Sequence, residues 1–72
     1  MTETMRDFLH ALSNDLTQPS RSYQDFESTS AAENLARLLT SFAEGNELPE
    51  PDVLGTFIGV AQKLLSRSSL HH

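Results

Sequence analysis

Glu44, Glu47, Glu50 and Asp52 set four carboxylates within nine residues, a dense grouping of ionisable side chains for so short a chain. Carboxylates this close could do two kinds of chemistry. A pair held in a desolvated cleft with separated pKa values acts as general acid and base, and a run of oxygen ligands wraps a calcium ion. Neither has its setting here. The four acids surround Pro49 and Pro51, the mark of a solvent-facing turn, and the alternating oxygen ligands and central glycine of an EF-hand loop are missing. A solvated acidic connection is the expectation, with no metal site.

Serines, aspartates and His10 supply the ingredients of a hydrolytic triad, yet no glycine-flanked nucleophile on a strand-turn-helix scaffold holds them. His10 falls on the polar side of an amphipathic stretch. The terminal His71-His72 pair could bind metal as any histidine pair does, without structural meaning. Six hydroxyls, Ser20, Ser22, Tyr23, Ser28, Thr29 and Ser30, flank Arg21 and could accept phosphate; ordinary linker composition explains them equally well. Neither Ser28 nor Ser30 sits in the Asp-Ser-Leu or Gly-x-Ser-Leu setting that carries a phosphopantetheine arm. There is no phosphate-cradling glycine loop. No catalytic residue, cofactor site or metal site is assigned, and the chain is expected not to be an enzyme.

Composition narrows the partners. Ten carboxylates against five cations give a net charge of −5, and the cations are scattered, which disfavours direct binding to nucleic acid. No basic region followed by an apolar run opens the chain, and its longest apolar-rich stretch, 53–65, falls short of the roughly 20 residues a bilayer requires. Cysteine is absent, which fits a reducing compartment. A cytoplasmic protein with no membrane association is expected.

At 72 residues the chain makes at most one domain, and such a domain is only marginally able to bury a core. Three helices are expected, an all-α fold. The first runs over about 4–16, with Thr4 as N-cap, Asp7 completing a capping box, and a narrow stripe of Met5, Phe8, Leu9, Leu12 and Leu16. Residues 17–30, with Pro19 and no apolar period, read as a flexible linker that only Tyr23 and Phe26 could pin. Ser30 and Glu33 form a second capping box opening a helix over about 31–44, with Leu35, Leu38, Leu39 and Phe42 on one face, Ala32, Ala36 and Ala43 widening it, and Gly45 as a left-handed stop. Pro51 opens a third helix to about Arg67, and the tail 68–72 reads as frayed. The short connection between the last two helices predicts an antiparallel hairpin, the expected structural heart.

That third helix poses the sharpest question, because Gly55 and Gly59 sit inside it, each costing about 1 kcal/mol relative to alanine. They line a smooth strip that either relieves a clash with the rest of the chain or lets another backbone approach. Val53, Leu54, Phe57, Ile58, Val60, Ala61, Leu64 and Leu65 span about 160° of the helix, wider than one neighbour normally covers. Surplus apolar surface needs a cover, and a homodimer in which two hairpins form a four-helix bundle is the simplest; the alternative is that the first helix folds back as the third member of a monomeric bundle. The residues expected to carry association are Leu54, Gly55, Phe57, Ile58, Gly59, Ala61 and Leu65, with Leu35, Leu38, Leu39 and Phe42 opposite. Phe8 and Leu12 would close the groove or grip a partner.

These expectations describe a non-enzymatic protein-protein interaction module of the accessory regulator, inhibitor or chaperone-like class, acting in a bacterial or phage cytoplasm on a protein partner the sequence does not identify. The alternative is a transcription-related factor that touches nucleic acid directly or with a partner's help.

Overall fold

A computed structural model describes residues 3–45 and 48–70. Three helices dominate it: α1 (Glu3–Leu16), α2 (Phe26–Glu44) and α3 (Pro51–Arg67). Two short strands, β1 (Arg21–Ser22) and β2 (Ser69–Leu70), pair antiparallel with Arg21 opposite Leu70 and Ser22 opposite Ser69. The all-α three-helix architecture expected from the apolar periodicity is present.

The core explains why the helices pack as they do. Leu9, Leu16 and Leu39 are fully buried, and Ala32, Ala36 and Ala43 are buried along one side of α2. Three alanines at spacings of four and seven keep side chains short where α1 crosses, so the two backbones approach closely. The tightest helix pair is therefore α1 with α2. The expected heart, α2 with α3, is the looser contact; the short 45–50 connection makes those two helices neighbours, but side-chain size decides which interface closes. From α3 only Leu54 and Ala61 are buried.

Helix starts and stops differ from expectation at three places. α1 already begins at Glu3, which puts Thr4 inside its first turn instead of at the cap. α2 begins five residues earlier than expected. Asp25, not Ser30, is its N-cap: the Ser28 backbone N–H donates to Asp25 Oδ1 at 2.7 Å and the Thr29 hydroxyl donates to the Asp25 carbonyl at 3.0 Å. Gly45 ends α2 in extended backbone, φ −84° and ψ 178°, not in the left-handed region. Its glycine answers a close approach instead, because a Cβ there would lie 2.7 Å from the Ser41 carbonyl oxygen that its own N–H contacts. The start of α3 is as expected, with Glu50 at the cap position and Pro51 in the first turn.

The 17–25 segment is tied down rather than free. Gln18 accepts from the Arg21 N–H at 2.9 Å across a turn with Pro19 at its second position, where the fixed proline φ suits the bend. The turn delivers Arg21 and Ser22 to β2, so Ser69 and Leu70 of the expected frayed tail are paired. Asn46 and Glu47, in the middle of the acidic cluster, and His71 and His72 lie outside the described residues.

Candidate interaction surface

The apolar residues of α3 fall into two interleaved rows. Leu54, Ile58, Ala61 and Leu65, spaced four, three and four, turn toward the hairpin, with Leu54 and Ala61 buried and Ile58 and Leu65 half-buried against the core. One residue back in the chain, Val53, Phe57, Val60 and Leu64 repeat that spacing about 100° around the helix. This second row is incompletely covered. Val53 and Val60 are 44% and 45% exposed, while Phe57 and Leu64 are half-buried. Phe42 of α2 provides the partial cover, its ring centroid 5.8 Å from that of Phe57 with the planes tilted by 40°.

The residues expected to carry association divide accordingly. Leu12, Leu35, Leu39, Leu54 and Ala61 are buried in the chain's own core, and Phe42, Phe57, Ile58 and Leu65 pack against it half-covered. Phe8 and Leu38 are 41% and 42% exposed on the flanks of α1 and α2. Leu38 lies one turn before Phe42 and so shares the side of α2 that meets α3. Gly55 and Gly59 are exposed, and a Cβ at either would meet nothing within 4 Å. Neither glycine relieves a clash with the linker or with α1. On the helical wheel the two lie roughly opposite the Val53–Leu64 row, on the bare face of α3.

A polar junction missed by the sequence reading holds the other end of the molecule. The C-terminal carbonyls of α1 lack partners within the helix. Arg21 Nε–H donates to the Asp15 carbonyl at 2.8 Å, and the Tyr23 hydroxyl donates to the Leu16 carbonyl at 2.6 Å. The same guanidinium reaches the Asp15 carboxylate at 2.5 Å and donates to Ser68 Oγ, whose hydroxyl donates in turn to the Leu65 carbonyl at 2.7 Å. One cation thus joins the last turn of α1, the turn after it and the end of α3. With half of Asp15 in water the ion pair itself contributes little, and the carbonyl bonds and fixed geometry matter more. Burial pushes the Tyr23 phenol pKa up against the opposing pull of Arg21, so the hydroxyl remains a donor at neutral pH. The signal for this junction was a cation and a tyrosine shortly after a helix end, where carbonyls and the negative dipole end wait. Of the two aromatics expected to pin the linker, Tyr23 does so and Phe26 is 83% exposed.

Two open recesses flank the hairpin. One, of about 420 Å³, lies between Ser13, Asn14 and Thr17 of α1 and Glu33, Arg37 and Thr40 of α2. The other, about 340 Å³, sits beneath Tyr23 and Arg21. Neither assembles a nucleophile, a base and an orienting group. Among the described residues no group of three His, Asp or Glu side chains could hold a metal ion, and no helix is long and apolar enough to cross a membrane.

No family model, no curated protein and no solved structure matches this chain.

Proposed function

We propose that this chain is a non-enzymatic protein-protein interaction module, a small accessory regulator, inhibitor or chaperone-like factor that works through the apolar flank of α3. One observation carries the reading: a row of four apolar side chains at coiled-coil spacing, two of them nearly half exposed, on a helix that already spends its other apolar row on the core. Leu38 on α2, one turn before Phe42, is a further exposed apolar side chain. Apolar helix faces of this kind are recognised by a second helix laid alongside, with anchors at three- and four-residue spacing. The acidic balance of the chain and the structural employment of Arg21 leave few cations for phosphate contacts, which weighs against the transcription-related alternative.

Affinity capture from the source organism's extract tests the proposal, with the intact chain and with Val60→Asp as bait. Wild type should retain a defined protein and the variant should lose it while keeping its helical circular dichroism. Equal retention by both would remove the α3 flank from the mechanism, and retention of nothing by either, neither a different protein nor a second copy of the chain, would end the interaction reading.

A further inference from the structure

The exposed row on α3 is longer than its apolar part. Carried one step outward at each end with the same alternation of three and four, it reaches Glu50, the N-cap residue just before the helix, and Arg67, the last residue of the helix. Steps that alternate between three and four make the heptad repeat that keeps one seam facing a partner helix. Its two ends have opposite charge, and both Glu50 and Arg67 are exposed, with no side-chain bond formed by either among the described residues. From this arrangement we infer that the seam is covered by a second copy of the same chain, α3 against α3 in antiparallel orientation about a two-fold axis. The inference rests on the interaction reading and names the partner at that surface.

Charge selects both the occupant and the direction. Parallel pairing would set Glu50 against Glu50 and Arg67 against Arg67. Reversing one copy sets Glu50 against Arg67 at both ends, Val53 against Leu64, and Phe57 against Val60, so large and small side chains alternate across the seam. The helix dipoles also oppose each other in that arrangement. Beyond the seam the gradient continues: Asp52 is at the acidic end of α3 and Lys63 at the basic end, with no carboxylate in the sequence after Asp52. A two-fold pairing uses the same patch on both copies and closes on itself, leaving no end from which a fibre could grow. The pairing differs from a four-helix bundle of buried faces, because Leu54 and Ala61 remain inside each copy.

Sedimentation equilibrium of the full chain over a wide concentration range tests the inference, with circular dichroism to confirm folding. Wild type should weigh two chains. Val60→Asp, at an exposed position, should weigh one with unchanged helicity. Glu50→Arg and Arg67→Glu should each weaken the dimer by about tenfold, since each creates two like-charge contacts per dimer, and the double variant E50R/R67E should restore wild-type affinity. Restoration has no other source, because the double swap opposes both ends of the α3 dipole. A monomeric wild type, a dimeric Val60→Asp, or a double variant weaker than either single one overturns antiparallel self-pairing. Should the monomer still capture another protein through Val60, the interaction reading survives and the self-pairing does not.

Discussion

The α1–α2 interface and the α3 interface both draw on leucine and alanine at helical spacing, but they close to different degrees. Between α1 and α2, leucines from both helices and the alanine row of α2 are buried in one cluster, with Leu9, Leu16 and Leu39 all but removed from water. α3 sends in Leu54 and Ala61, half-covers its larger side chains and leaves two valines in solvent. Interface closure follows the small residues more than the total of large ones. Alanine permits backbone approach, approach excludes water, and only then does leucine gain its full transfer free energy.

The comparison breaks most visibly by making a cavity on the tight side. Leu39→Ala should destabilise by about 2–5 kcal/mol, the usual range for a leucine whose site cannot collapse, which is a large share of the whole stability of a small domain. Val53→Ala on the open side should shift stability by about 0.5 kcal/mol or less under conditions where the chain is monomeric. Urea unfolding followed by circular dichroism measures both. Similar losses at the two sites would mean that α3 is packed as firmly as the hairpin.

Much of this asymmetry was legible in the sequence, and some was not. The three helices and the apolar alternation of α3 follow from periodicity, which depends only on the chain itself. Proline in the first turn of α3 was equally local. The choice of hairpin was not, because a short connection makes two helices neighbours without deciding how deeply they interlock; Ala32, Ala36 and Ala43 held that information and read only as wideners of a face. The start of α2 failed for a related reason. Ser30-Ala31-Ala32-Glu33 and Asp25-Phe26-Glu27-Ser28 both contain capping chemistry, and nothing local ranks them. What ranks them is tertiary: the Pro19 turn and the Tyr23 bond to the end of α1 bring the chain to Asp25 already aligned with the hairpin, so the helix starts there. Gly45 was correctly placed as a stop but for the wrong cause, since close approach to the Ser41 carbonyl leaves no room for a Cβ at negative φ.

The glycines of α3 sharpen the comparison from its loose side. At Gly55 and Gly59 a Cβ enters open space, so alanine at either position should follow helix propensity and stabilise the isolated chain by up to about 1 kcal/mol. The double variant should melt higher in thermal denaturation. An unchanged or lower melting temperature would show that the bare face of α3 is covered in solution, by another molecule that needs the missing side chains. A higher melting temperature with capture and dimer mass intact would assign the glycines no part in association and leave the Val53–Leu64 row as the working face.

The smallest effect is expected where α2 begins, at the hinge between the anchored turn and the tight hairpin. The Ser28 backbone N–H, and then its side chain, hold the Asp25 carboxyl pKa below its ordinary value, which is the signature of an N-cap that prefers to be charged. A depressed folded-state pKa adds stability that is present above the unfolded carboxylate pKa of about 4 and is lost as pH falls through the lower folded value. The substitution Asp25→Asn keeps an acceptor oxygen for Ser28 but removes the titration. The variant should therefore fold with the same helix content near neutral pH and show a flatter decline of stability as pH falls below the ordinary carboxylate range. Asp25 is in full contact with water, so the difference should be slight and should shrink as salt screens the dipole contribution. Identical acid profiles for the two chains would show that the first turn of α2 is held by the Tyr23 anchor and the hairpin core, with the cap only following. That outcome would extend the central contrast to the helix terminus itself: in this molecule the close α1–α2 packing, more than any local signal, would decide where helices begin.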